Sequence, residues 1–97
     1  MSKERMMKRL EWSVIQNSNQ WFTAKELMDL LLTHRDADVD KRYRQDNGMK
    51  QTNSPRSISP ANTVSLARMV MSTKRYECKN LTNSATSIRA YRLKVEA

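Results

Sequence analysis

Gln20-Trp21-Phe22-Thr23-Ala24-Lys25-Glu26-Leu27 is the stretch on which the fold turns. Thr23 followed three residues later by Glu26 is a capping box, in which each side chain bonds a backbone N–H that a first helical turn leaves unsatisfied. Phe22 and Leu27 stand where a hydrophobic staple packs across that cap. Trp21-Phe22 is β-prone and predicts a very short strand ahead of it. A helix should then run from Ala24 to about Leu32, burying Leu27, Leu30 and Leu31 on one face.

Upstream, residues 3–17 read as an amphipathic helix. Met6, Met7, Leu10 and Val14 recur at helical spacing, while Lys3, Lys8, Arg9 and Glu11 lie mostly elsewhere on the cylinder. Trp12 and Ile15 widen the apolar arc, as core or as a homodimer contact through helix 3–17. Asn17-Ser18-Asn19 stops the helix, because these side chains compete for backbone hydrogen bonds.

Downstream, Asp36, Asp38 and Asp40 precede Lys41, Arg42 and Arg44, and Asn47-Gly48 follows. Acids early, bases late and Asn-Gly at the end predict a short extra helix near 37–46, unless it merges with the second. Asp38/Arg42 and Asp40/Arg44 are i,i+4 ion pairs in that helix, and Val39/Tyr43 an apolar pair. The stretch from about 47 to 58 is polar and basic and reads as an exposed, mobile loop. Ser59 suits an N-cap and Pro60 a first helical position, so a helix should run from there to about Thr73. Its apolar arc holds Thr63, Leu66, Ala67, Val70, Met71 and, at the edge, Val64. Asn62, Ser65, Arg68, Met69, Ser72 and Arg75 form the other face. The period then drops to two, with Tyr76 and Cys78 in one strand over 74–79 and Tyr91, Leu93 and Val95 in another over 88–95. The turn-rich stretch 80–87 joins them as a hairpin, its geometry set by Asn80 or Asn83 in the absence of glycine.

Charge divides the chain. Residues 1–40 hold six basic and seven acidic side chains, whereas residues 41–94 hold twelve basic ones against only Asp46 and Glu77. A net charge of +8 concentrated in one half costs self-repulsion and points to a polyanionic partner. The 97 residues make one domain, 1–97, and a mean hydropathy of −0.81 leaves much of it solvated. No stretch approaches the length of a membrane span and no apolar signal core follows the basic start, so no membrane is expected and the cytoplasm (or the nucleoid) is. Cys78 is the only cysteine, which excludes an intramolecular disulfide and a cysteine zinc site. It reads as a small buried hydrophobe, with a reactive thiol as the alternative. His34 is the only histidine and reads as a surface or partly buried residue. Gly48 is the sole glycine, so there is no phosphate-binding loop. No catalytic pattern, metal site or cofactor site is expected.

The order helix, short strand, capped helix, short extra helix, polar-faced helix, hairpin resembles the winged helix-turn-helix family. Three stretches carry the resemblance: Trp21 to Leu27, Ser59-Pro60-Ala61-Asn62-Thr63-Val64-Ser65, and Ala90-Tyr91-Arg92-Leu93. With the first helix it covers most of the chain. The connection between the second helix and the polar-faced helix is about twice the usual length for such domains. The resemblance implies an α+β winged helix with three main helices and a C-terminal β-hairpin wing. It also implies that the polar-faced helix enters the major groove of double-stranded DNA while the wing lies along the backbone.

The residues agree independently. Ala61, Ser65 and Ser72 are short enough to let a helix approach base edges; Asn62 suits adenine and Arg68 guanine. Lys74, Arg75, Lys79, Arg89 and Arg92 suit phosphates, as do the loop bases Lys41, Arg42, Arg44, Lys50 and Arg56. Tyr76 and Tyr91 are expected to pack in the hairpin. The leading expectation is a small microbial or viral transcription regulator. An interaction module for an acidic partner protein, as inhibitor or assembly factor, is the alternative, and RNA binding the third.

Overall fold

The computed structural model describes residues 3–51, 58, 62–83 and 86–94. They form a small α+β domain of four helices and a C-terminal hairpin. Helix α1 spans Lys3–Gln16, strand β1 Phe22–Thr23, α2 Ala24–Leu32 and α3 Ala37–Asp46. Helix α4 spans Thr63–Ser72, and strands β2 (Tyr76–Asn83) and β3 (Thr86–Leu93) complete the chain. The strands form one antiparallel sheet in the order β1-β3-β2, with Phe22 opposite Tyr91 and Tyr76 opposite Leu93.

The capping box forms as its spacing requires. Glu26 N–H donates to Thr23 Oγ1 at 3.2 Å and Thr23 N–H to Glu26 Oε1 at 3.0 Å. Phe22, Leu27 and Leu31 are buried, and Leu30 is half-buried. They meet Met6, Met7, Leu10 and Val14 of α1, Leu66 and Val70 of α4, and Tyr76, Tyr91 and Leu93 of the sheet in one core.

The end of α1 does more than stop it. Ser18 (φ 70°) and Asn19 (φ 44°) take the left-handed conformation, and Asn19 N–H returns to Val14 O at 2.8 Å. The Asn19 amide then clasps the β3 backbone, accepting from Leu93 N–H (3.0 Å) and donating to Leu93 O (3.2 Å). The residue that ends the helix thus also fixes where the last strand lies.

Helix α3 occupies the expected residues but does not merge with α2. A 3-10 turn over Thr33–Arg35 intervenes, and Asp36 caps the new helix by accepting from Asp38 and Val39 N–H. That turn corrects the expectation for His34, which is fully buried beneath α1. Arg9 Nη1 donates to His34 Nδ1 at 3.2 Å. A guanidinium cannot accept, so the ring proton sits on Nε2, 2.6 Å from Ser13 Oγ. Arg9 also bonds Asp40 Oδ1 at 2.8 Å and lies over the Tyr43 ring, 4.4 Å from its centroid. Asp40 takes Arg44 on its other oxygen at 2.9 Å, the expected i,i+4 pair. Trp12, His34 and Tyr43 meet edge to face at 5.4 to 5.6 Å, and Trp12 Nε1 reaches Asp46. Trp12 is therefore half-buried against α3, whereas Ile15 is exposed rather than core.

Past α3, Gly48 (φ 62°) turns the chain, and Ile58 is buried in the core with its carbonyl held by Arg35 at 2.6 and 3.2 Å. Residues 52–57, and with them most of the expected mobile loop, lie outside the described residues, as do Ser59, Pro60 and Ala61. The described α4 is capped by Asn62, whose Oδ1 accepts from Ser65 N–H at 2.8 Å, so it begins at Thr63 rather than at Pro60. Strand β2 runs on past its expected end at Lys79 to Asn83, and β3 is shifted, starting at Thr86 and ending at Leu93, with Val95 outside the described residues. Asn80 pairs with Arg89 within the ladder and cannot make the turn, and pairing continues to Asn83 and Thr86. Threonines and asparagines there keep the ladder going because an antiparallel pair needs backbone groups, not apolar side chains. Cys78 is exposed, although it faces the same side as buried Tyr91. Tyr91 is flanked by Phe22 on one side and Cys78 on the other, while Cys78 has the open edge beside it.

Burial, then the adjacent Arg9 charge, lowers the His34 pKa from 6.5 to about 4. The unfolded chain binds that proton near pH 6.5 and the folded one only near 4, so the stabilisation is intact above pH 6.5 and is lost as pH falls to about 4. It is worth about 3 kcal/mol. As the only histidine, His34 gives one set of imidazole NMR signals, which should stay neutral with the proton on Nε2 down to about pH 4; titration near 6.5 would contradict this. Asp40→Ala should cost about 3–5 kcal/mol in urea denaturation, because it strands a buried guanidinium. Glu11→Ala, which loosens only an exposed pair with Arg75, should cost under about 1 kcal/mol.

Candidate nucleic-acid interface

Leu66 and Val70 set the buried side of α4, so its outward side is centred on Arg68, about 200° round the helix from Leu66. Arg68 is exposed and makes no hydrogen bond or ion pair among the described residues. Val64 and Met71 flank it, 60% and 42% exposed, where the sequence places them on the apolar arc. Ser65 and Met69 are instead half-buried, Met69 against the core. The face expected from periodicity is therefore turned by about 60°. The reason is that two large aliphatic side chains, not the mean of the whole arc, choose what faces inward.

Asn62 stands at the start of this face with its carbonyl oxygen engaged as the cap, and Ser72 at its end with Oγ donating to Met69 O at 2.7 Å. Lys74 takes φ 60° and ends the helical path, so Arg75 projects from the corner between α4 and β2. Arg75 is exposed and its guanidinium bonds Glu11 of α1. An open groove of about 720 Å³ runs there, lined by Lys3, Lys8 and Glu11 of α1 and by Ser72, Arg75 and Tyr76. The Tyr76 hydroxyl at its floor is buried with no hydrogen-bond partner among the described residues. Burial, reinforced by the Glu11 charge, holds its pKa well above the usual phenol value.

Strand alternation separates the hairpin bases. Register puts Glu77, Lys79 and Arg92 on the outward face of the hairpin, whereas Arg89 shares the face of Tyr91 and hence the side of α4. On the outward face Trp21 is the organising residue. The Lys79 ammonium and the Arg92 guanidinium each lie 4.4 Å from its ring centroid. Arg92 also donates from Nε to Glu77 Oε1 at 2.7 Å. Lys79 and Arg92 therefore have internal partners, while Arg89 is exposed at the side of the hairpin that α4 shares. Neither Trp21 nor Glu77 was singled out from sequence for this part. Alternation from buried Phe22 does put Trp21 on the outer face, which is the signal that finds it.

The loop bases behave unequally. Arg44 is engaged by Asp40 and by Lys50 O, Arg42 lies 5.8 Å from the Trp12 ring, and Lys41 and Lys50 are exposed. Arg56 lies outside the described residues. Tyr76 and Tyr91 are buried in hairpin packing, as expected. Among the described residues no group of three or more His, Cys, Asp or Glu side chains is placed to hold a metal ion, and no helix is long and apolar enough to cross a membrane. No family model, no curated protein and no solved structure matches the chain.

Proposed function

We propose that this is a winged-helix protein that binds double-stranded DNA through α4, with the β2–β3 hairpin as its wing. The observation that carries the proposal is Arg68, unpaired among the described residues at the centre of an outward helix face in the basic half of the chain. Three features support the fold part: the capped helix after a two-residue strand, the pairing of that strand with the last one, and an exposed helix leading directly into a hairpin. Arg68 is the base-reading candidate, for guanine in the major groove, and Val64 and Met71 beside it suit a thymine methyl. Lys74, Arg75 and Arg89 take phosphates, which fix register without reading sequence. Ser72 allows close approach, and Asn62 offers its amide nitrogen from the helix start. Lys79 and Arg92 contribute field rather than contact. A role as a small cytoplasmic or nucleoid transcription regulator rests on the family resemblance.

Val64 and Met71 also favour a second reading. An outward face with two exposed apolar side chains beside one arginine suits an acidic partner protein with an apolar anchor. Capture of one stoichiometric protein that DNA does not displace would select that reading.

Titration with duplex DNA at increasing salt separates the two. With the three phosphate contacts at Lys74, Arg75 and Arg89, log affinity should fall with a slope of about −3 against log salt. Arg68→Ala should weaken a preferred site by about 10- to 100-fold and flatten its advantage over other sequences. Arg92→Ala should change affinity by less than about threefold. Absence of duplex binding at low salt contradicts the proposal.

A further inference from the structure

Strand β2 is the sheet edge, and its backbone shows which of its groups are free. Lys94 N–H donates to Arg75 O at 2.9 Å, so the polar groups of Arg75 face β3. Backbone direction alternates along a strand, so Glu77 and Lys79 also bond inward, while Tyr76, Cys78 and Asn80 aim their N–H and C=O at the open edge. From Lys79 to Leu81 the side chains are exposed, and so is the Cys78 thiol. An edge of this kind is a template for a further strand.

We infer that this edge pairs antiparallel with β2 of a second copy of the chain, about a two-fold axis through Cys78. With Cys78 opposite itself, Tyr76 faces Asn80 of the other copy, and only outward-aimed groups are used, giving about six main-chain hydrogen bonds. The same register sets Glu77 against the other copy's Lys79, twice by symmetry, in the closer-spaced pairs where side chains interact most. A lone lysine would guard an edge against pairing; two residues from a glutamate it becomes one half of a self-complementary pattern. Glu77 has the capacity for it. Both of its contacts with Arg92 fall on Oε1, and Oε2 accepts no hydrogen bond among the described residues. A register centred on Tyr76 would also pair Glu77 with the other copy's Arg75, but about a buried residue, and one centred on Asn80 sets Lys79 against Leu81. The inference is independent of DNA binding.

The test is sedimentation equilibrium on the full chain carrying Cys78→Ser. A monomer–dimer equilibrium is expected. Glu77→Lys and Lys79→Glu should each weaken it roughly tenfold by opposing like charges. Mixed together, the two variants should form a heterodimer of near-parental affinity, because both cross-axis pairs then set a lysine against a glutamate. Circular dichroism confirms that each variant folds; should Glu77→Lys fail through loss of its Arg92 contact, Lys79→Glu alone still decides. In the unsubstituted chain, copper-catalysed oxidation should trap a covalent dimer faster in the native state than in urea, since paired Cα atoms about 5.5 Å apart admit a disulfide. A chain that is monomeric at millimolar concentration overturns the inference. So does a dimer unmoved by either charge reversal, such as one formed through α1.

Discussion

Burying a guanidinium is among the more expensive things a small domain can do, and Arg9 is buried where α1, α3 and the 3-10 turn meet. Asp40, the neutral His34 ring and the face of Tyr43 between them replace the water it gives up. Remove that arrangement and α3 has little to hold it, since its own residues are mostly polar and only Asp40 and Tyr43 are buried. The consequence reaches α4. Helix α1 uses two sides at once: an apolar one, with Leu10 and Val14, against the α2–α4 core, and a polar one, with Arg9 and Ser13, against the inserted segment. The segment from the 3-10 turn through α3 thus packs beside the α2–α4 pair and not between its members.

The same economy explains the uneven charge. Four of the seven acids of the first 40 residues have structural duties: Glu26 and Asp36 cap helices, Asp40 neutralises two arginines, and Glu11 restrains Arg75. In the second half Glu77 does likewise for Arg92. Among the described residues of the second half, Arg68, Lys74, Arg89 and Lys94 are exposed with no acidic partner, as are Lys41 and Lys50 in and just after α3. The proposed binding face is therefore a selection from the basic residues, with Arg68, Lys74 and Arg89 open and Arg75 shared with Glu11.

Local rules carried the reading where the interaction spans a few residues. The Thr23/Glu26 box, the Asp40/Arg44 pair, the limits of α3 and the inward Tyr76 and Tyr91 were all legible, because each depends on neighbours at fixed offsets. Long-range choices were not. Nothing near His34 in sequence reveals that Arg9, Ser13 and Asp40 will surround it, since Arg9 and Ser13 arrive from 25 and 21 residues upstream on another helix. The exposure of Cys78 follows from β2 being an edge, which depends on strand order. The rotation of α4 follows from the depth of Leu66 and Val70, which average periodicity does not weigh. On the hairpin, alternation was available from the sequence, yet its effect on Lys79, Arg89 and Arg92 needed the register and the ring of Trp21.

The central claim is that Arg68 marks the working face of the molecule. Backbone amide chemical-shift mapping on addition of a duplex tests it most directly, since each backbone amide reports separately. The account predicts shifts concentrated at Val64, Arg68 and Ser72 of α4, at Lys74 and Arg75, and at Arg89 of the wing, with α2 and α3 silent. Shifts confined to α1 and α3, or none at low salt, would contradict it.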